Sequence, residues 1–514
     1  MKKLTWLHVL LAFAAFKIIF HFSINGLWSF HRDELLYLAL GMHLDWGYAS
    51  VPPSIGFFGW LGSSGLGGSV EAVRLISTLF GTGIMVLTGL MAKEMLAPTS
   101  HEQSLIINQQ SGKFAMLLIG LTGLLSGAYL RPSMLFQPVV FDIFYWTLFS
   151  WLFLKYLNTE KPKWLLWLGV AFGLGLLNKY SVLLFAFGLL PGLLFTKHRR
   201  LFASKYLYLA AGIALLIFLP NLVWQIKNHL PVIRHMSELA ESQFANVTIA
   251  GFLIDQLTDN LPALPLWLAG LYFLLFKREG KRWRSMAWMY LTVVAALLVL
   301  SGKSYYTLGA YPVLIAAGAS YFEQLTFAGR RWLRFAIPVF MLAVGLPFLP
   351  AVLPVFEPEK EARYFEKMKN VPGLQAPLRW EDGNYYPLPQ DFADMLAWDE
   401  LADLVGKTWQ SLPDKSSAAI YAENYGQAGA IEHFGRLQVL SFKDTYWIGY
   451  PGVPLPYEIP QVLSFSDAYR YWLPDSLPAN FQTLIYVNDE LGDDMLSFFA
   501  DIQEVGRLQT PYAR

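Results

Sequence analysis

Apolar residues come in long blocks over the first two thirds of the chain, with short polar stretches between them. As a helix, a block of about 17 to 25 residues crosses a bilayer core of about 30 Å. Eleven blocks are read, at about 4–24, 73–96, 113–130, 138–157, 164–178, 180–196, 206–224, 262–277, 285–301, 306–325 and 334–353. The first precedes many further spans and carries no small-residue cleavage motif, so it is expected to remain as a membrane helix. Beyond residue 353 the pattern changes. "SSAAIYAE", "LQVLSF" and "FQTLIYVND" read as strands, while "YGQAGAIEHFG" and "LGDDMLSFFAD" read as helices, with proline-rich pieces such as "PGVPLPYEIPQ" between them. The expected organisation is a membrane part over 1–353, a linker over 354–380 and an α/β domain over 381–514. No internal repeat stands out, which disfavours a transporter built from inverted halves.

Composition agrees: 55% of the residues are apolar and 15% charged, against about 25% charged in a soluble domain. The net charge of +1 hides an asymmetry. Residues 354–514 hold 24 acidic and 12 basic side chains, and the preceding part holds 14 and 27. With eleven spans, 19 of those Lys and Arg fall in loops on one side of the membrane, from Lys2 and Lys3 to Arg330, Arg331 and Arg334. That side is expected to be cytoplasmic. The loops at 25–72 and 225–261 and the tail then face the periplasm or an equivalent exterior, and the protein belongs in a bacterial inner (plasma) membrane. No basic face interleaved with aromatics offers itself to nucleic acid. There is no cysteine, so disulfides and thiolate metal sites are excluded.

Seven basic residues remain for the outer side, Arg32, Arg74, Arg131, Lys179, Lys227, Arg234 and Lys303, and Lys17 lies within the first span. Several neighbour acids or tyrosines: Arg131 with Asp142, Lys179 with Tyr180, Lys303 with Tyr305, Tyr306 and Tyr311. Ionisable groups at membrane depth are costly and face a bundle interior or a wet cavity. Their common depth at the outer rim points to a cavity that holds an anion and carboxylates together. Each also has a plainer reading. Asp33 and Glu34 suit the positive end of the helix "DELLYLALGMH". Lys303 with its tyrosines fits an aromatic belt, and Lys179 and Arg131 fit snorkelling at span ends. His21, His31 and His43 show no metal-ligand spacing.

The first outer loop, "FHRDELLYLALGMHLDWGYASVPPSIGFFGWL" followed by "AVRLISTLFG", resembles the bacterial branch of the dolichyl-phosphate-mannose-protein mannosyltransferase-like glycosyltransferases. The family has the GT-C fold and includes the lipid A aminoarabinose transferase. The resemblance rests on the acidic pair Asp33-Glu34, then Trp46-Gly47-Tyr48, Pro52-Pro53 and Arg74. It continues in order through "FQPVVFDIFYW", "GLGLLNKYSVLLF", "LPNLVWQIKNHLP", "GKSYYTLGAYPVLIAAG" and "AENYGQAGAIEHFG", and so spans nearly the whole chain.

The resemblance implies a GT-C membrane domain of about eleven helices with a periplasmic α/β domain. It also implies an inverting transfer of a sugar from polyprenyl phosphate to a lipid, glycan or protein acceptor. Asp33 matches the family's catalytic base, with Glu34 beside it, and Asp142 matches the acid of the second outer loop. Lys179, Lys303, Tyr305, Tyr306, Arg131 and Arg74 are candidates for the donor phosphate, and Tyr48 and His43 for substrate. Tyr425-Gly426-Gln427 and Tyr446-Trp447 could cover the site or bind acceptor, or pack as plain domain core. In some relatives an acid associated with a divalent metal, and in the aminoarabinose transferase also a lysine, precede the Pro-Pro; here those positions are Ser50 and Val51. This argues against a metal and against aminoarabinose as the sugar. Two alternatives from other classes are a lipid or solute transporter with an outer-facing anionic-ligand cavity, and a non-catalytic scaffold in which Asp33→Asn is silent.

Overall fold

The computed structural model describes residues 5–96, 112–242, 248–371, 375–380, 384–413, 415, 418–422, 424–437, 439, 483–488 and 503–509. The chain divides into two compact units. One comprises Met1–Asn25, Arg74–Pro220 and Met236–Val355, and the other Gly26–Val73, Asn221–His235 and Phe356–Arg514.

The first unit is a helical bundle. Together with the ends that run into the second unit, its helices include four that are long and apolar enough to cross a membrane: Trp6–Ile24, Val70–Leu96, Pro138–Thr159 and Lys205–Lys227. Three bent pairs could each make one further span: Lys113–Leu125 with Gly127–Met134, Tyr180–Leu194 with Lys197–Ala203, and Ile249–Thr258 with Leu261–Phe276. Shorter helices complete the bundle, among them Arg284–Val299, Tyr311–Phe327 and Leu333–Gly345. By length and composition this gives up to seven spans among the described residues, where the hydropathy pattern was read as eleven.

Packing follows from small residues and aromatics. Gly270 and Gly318 meet the main chain of the partner helix across the Leu264–Phe276 and Tyr311–Phe327 pair, and a Cβ at either would strike a carbonyl. Trp146, Phe149 and Phe185 form edge-on ring contacts with centroids 5.3–5.4 Å apart, a geometry that adds to area burial. Two buried charged side chains are matched to main chain across helices. Glu323 accepts the Ala115 N–H at 2.7 Å, and Lys17 donates to the carbonyls of Gly123 and Tyr129 at 2.8 and 3.2 Å.

The second unit joins the loop after the first helix to the tail. The loop contributes the helices Arg32–Met42 and Ser54–Trp60. The tail contributes Pro358–Met368, Trp398–Ser411 and Tyr425–Ala430, and three strands: β1 (Ala418–Ala422), β2 (Thr483–Asn488) and β3 (Gln503–Gln509). The strands lie parallel in the order β1-β2-β3, with Ile420 opposite Ile485. Residues 354–380, read from sequence as a linker, carry the Pro358–Met368 helix, and its Phe365 is fully buried. Trp28 of the loop donates Nε1 to the Phe356 carbonyl at 2.7 Å and packs edge-on against Phe392. Loop and tail thus share one core. The segments "PGVPLPYEIPQ" and "LGDDMLSFFAD", the Tyr446-Trp447 pair and most of "LQVLSF" lie outside the described residues.

Candidate active site

The acidic pair opens the Arg32–Met42 helix, and a capping box with histidine in place of the usual serine or threonine fixes it there. His31 Nδ1 accepts the Asp33 N–H at 3.1 Å, and Glu34 Oε2 accepts the His31 N–H at 2.8 Å. Two of the helix's first amide donors are satisfied, and both carboxylates lie at the positive end of the macrodipole. Glu34 is fully buried, whereas the Asp33 side chain keeps 26% of its surface exposed. The two acids therefore differ in what they can do. Glu34 holds main chain, and Asp33 can meet a solute.

Charges from the tail surround this turn. Arg32 Nε stands 3.1 Å from Asp394 Oδ2 and 3.8 Å from Asp33 Oδ1, and its N–H donates to the Asp394 carbonyl at 3.0 Å. His31 Nε2 lies 3.8 Å from Asp391 and from Asp394. Burial pushes the Asp394 carboxyl up to about 6, against the pull of Arg32 and His31 and with the help of Asp391 and Asp33. The Tyr425 hydroxyl donates to Asp33 Oδ1 at 2.8 Å. Tyr425 begins its own helix, capped by Asn424, whose Oδ1 accepts the Gly426 N–H at 2.7 Å.

His43, at the far end of the Arg32–Met42 helix, sits 3.7 Å from Glu432. That hydrogen bond and charge raise the imidazole pKa, with burial opposing. Tyr48 is buried; its hydroxyl donates to the Leu40 carbonyl at 3.0 Å, and burial pushes its pKa up to about 12. Asp45, Trp46 and the segment "LPNLVWQIKNHLP" form a clamp. Trp224 Nε1 donates to Asp45 Oδ2 at 2.6 Å, and Asn221 Nδ2 to the Trp46 carbonyl at 2.7 Å.

The first unit gathers a second set. Asp142, buried near the start of the Pro138–Thr159 helix, accepts the Ser181 hydroxyl at 3.1 Å, and the Lys179 charge acts on it. Lys179 Nζ lies 4.9 and 4.8 Å from the ring centroids of Tyr305 and Tyr306, which stack on each other at 4.4 Å. Lys303 precedes the 3₁₀ turn Ser304–Ala310 that carries both tyrosines and is half-buried. Arg131 is exposed on the Gly127–Met134 helix. Arg74 is fully buried, with Nη1 donating to the Asn25 carbonyl at 2.7 Å.

Thus the structure brings Asp33 and Glu34 together in one unit, and Asp142, Lys179, Tyr305 and Tyr306 in the other. Arg74 and Tyr48 are buried against main-chain carbonyls. Asp391, Asp394 and Ser181 were not among the sequence candidates, and no motif around them sets them apart. Among the described residues no group of three or more His, Asp or Glu side chains could hold a metal, and Ser50 stands where some relatives carry an acid.

Residues 50–224 match the family model of dolichyl-phosphate-mannose-protein mannosyltransferase. ArnT from Cupriavidus metallidurans is similar over 85% of this chain and 87% of its own, at 14% identity. The TM-score is 0.54 for its apo structure and 0.56 for its complex with undecaprenyl phosphate. The oligosaccharyltransferase of Archaeoglobus fulgidus matches at 14% identity and a TM-score of 0.45, covering 84% of this chain and 62% of its own. No curated protein matches at the sequence level. The chain is a multi-pass membrane protein of GT-C fold. The family-model match covers 175 of the 514 residues, and the likeness to ArnT is one of fold.

Proposed function

We propose that the protein is an inverting membrane glycosyltransferase. It takes a sugar from a polyprenyl-phosphate donor at the periplasmic face and delivers it to a lipid, glycan or protein acceptor. The N-terminus is read as cytoplasmic and the tail as periplasmic, a reading supported by the 19 Lys and Arg that fall on one side when the chain makes eleven spans.

One observation carries the reading: Asp33 presents a partly exposed carboxylate whose main chain, neighbour and one oxygen are all held by hydrogen bonds. An acceptor hydroxyl is a poor nucleophile at neutral pH. A fixed carboxylate that takes its proton as the new bond forms lowers the barrier. The acceptor oxygen bonds to the anomeric carbon, the bond from that carbon to the phosphate oxygen breaks, and its electron pair leaves on the lipid phosphate. Attack from the opposite face inverts the carbon. Lys179, Lys303, Arg131 and the Tyr305 and Tyr306 hydroxyls are assigned to the developing phosphate charge, for which fixed cations and donors are effective in a partly dehydrated site. Glu34 positions the base, and Asp142 holds Lys179. The likeness to ArnT, whose structure with undecaprenyl phosphate shares this fold, supports the donor class.

The test offers purified protein in nanodiscs a panel of polyprenyl-phosphate sugars and, separately, nucleotide sugars, and measures release of polyprenyl phosphate. Turnover of a lipid-phosphate sugar that collapses in Asp33→Asn is the expected result. Turnover that survives in Asp33→Asn moves the base elsewhere, and donor lipid that is bound but never converted favours the transporter alternative.

A further inference from the structure

We infer that Tyr425 is a positioning residue for the base, so that the tail helix Tyr425–Ala430 is part of the transfer machinery. The inference rests on the proposed transfer reading and goes beyond it, since that reading needs only Asp33 itself.

Tyr425 and Asp33 lie far apart in sequence, yet the hydroxyl donates to Asp33 Oδ1 at 2.8 Å. Both helices are built to bring them together. Asn424 and Gln427 form a capping box at the start of the tail helix: Asn424 Oδ1 takes the Gly426 N–H at 2.7 Å, and Gln427 Oε1 takes the Asn424 N–H at 3.1 Å. Gln427 is buried, so this turn has little freedom. Two glycines then allow close approach. A Cβ on Gly426 would stand 2.8 Å from Arg32 Cβ, and one on Gly429 would stand 2.9 Å from the Leu35 carbonyl. Farther along, Glu432 reaches His43 at 3.7 Å. The tail segment is therefore tied to the Arg32–Met42 helix at three places, and the first of them is the carboxylate.

A phenol that donates to one carboxylate oxygen fixes the orientation of the whole group. With Oδ1 engaged by Tyr425, the Asp33 carboxylate is held in one orientation. As the acceptor oxygen bonds to the anomeric carbon and the C1–O bond to phosphate breaks, the acceptor proton passes to this carboxylate and the electron pair leaves on the phosphate. Tyr425 keeps its own proton throughout. It supplies geometry.

The test compares wild type, Tyr425→Phe, Asp33→Asn and the double variant in the full chain in nanodiscs, using the undecaprenyl-phosphate sugar that wild type turns over. Losing one hydrogen bond to a charged group lowers kcat roughly tenfold to a hundredfold. The KM for the donor stays unchanged, because the phenol acts on the base and not on the lipid phosphate. The double variant is no slower than Asp33→Asn alone, because the phenol acts only through the carboxylate. Tyr425→Phe with wild-type kcat overturns the inference while leaving the transfer reading intact. A loss of kcat that is additive to Asp33→Asn also overturns it, since that is what a purely structural tyrosine gives. Asp33→Asn with full turnover overturns both.

Discussion

The imidazole of His31 accepts the backbone N–H of Asp33 at 3.1 Å, so the side chain that starts the helix also fixes the main chain of its exposed acid. His31 is almost fully buried, and its other ring nitrogen faces Asp391 and Asp394. Against burial, which lowers it, the neighbouring Asp391, Asp33 and Asp394 carboxylates raise the imidazole pKa above its usual value. Replacing His31 by Ala removes the cap, which costs about 1 kcal/mol, and leaves the acids Asp391 and Asp394 without the imidazole between them and the helix. His31→Asn keeps an acceptor at the N-cap and is expected to recover most of the lost melting temperature. Thermal denaturation in detergent, followed by intrinsic fluorescence, compares the two. Equal loss in both variants would show that capping is not the ring's role.

Gly429 has no Cβ because Leu35 occupies the space: a Cβ there would stand 2.9 Å from the Leu35 main chain. Gly429→Val is therefore expected to force the tail helix away from the Arg32–Met42 helix, at about 1–3 kcal/mol of overpacking. Gly406, on the Trp398–Ser411 helix, has open space at the same position, so Gly406→Val is the matched control and should shift melting far less. Limited proteolysis reads the outcome, with the Gly429 variant cut sooner in the tail.

Glu361 gives the second unit a pH dependence. Its Oε2 accepts the Phe356 N–H at 3.1 Å, while Oε1 is buried with no hydrogen-bond partner among the described residues. Burial pushes its pKa up from 4.5 to about 7, with the Phe356 bond opposing. The folded state thus holds a proton that the unfolded chain releases at lower pH. Stability from this group is greatest below pH about 4.5, falls as pH rises toward about 7 and is level above that; the full loss is up to about 3 kcal/mol. Glu361→Gln should flatten this slope, melting higher than wild type at pH 8 and nearly the same at pH 4.5. A wild-type melting curve with no fall between those values would refute the assignment.

Much of this was legible in the sequence, and the limits have physical causes. The apolar blocks announce a polytopic membrane protein, and the acidic pair at a helix start is read correctly because local capping chemistry sets it. "SSAAIYAE" and "FQTLIYVND" hold strands β1 and β2, as their alternation predicts. The bends within the apolar blocks are not legible: 59° between Lys113–Leu125 and Gly127–Met134, or 116° after Leu194, leaves the apolar pattern unchanged. Nor were the partners of Asp33 and Asp142. Tyr425, Asp394 and Ser181 become neighbours only through tertiary packing, and no spacing along the chain records it. The main-chain partners of Arg74 and Tyr48, the carbonyls of Asn25 and Leu40, are likewise set by packing and not by spacing.

Lys179 tests the donor side of the proposal. Its ammonium sits 4.8–4.9 Å from two tyrosine rings and acts on Asp142, so it is held by cation–π contact and charge at a fixed place. If it meets the donor phosphate, Lys179→Met should weaken binding of undecaprenyl phosphate about tenfold to a hundredfold, the value of a charge-assisted hydrogen bond, and leave binding of uncharged undecaprenol unchanged. Removing the lysine alone strands a buried carboxylate at Asp142, which destabilises by itself. The variant Lys179→Met with Asp142→Asn removes that complication: it should regain melting temperature but not phosphate binding. Native mass spectrometry with the two lipids gives the comparison. Phosphate binding restored in the double variant would mean that Lys179 serves only to neutralise Asp142.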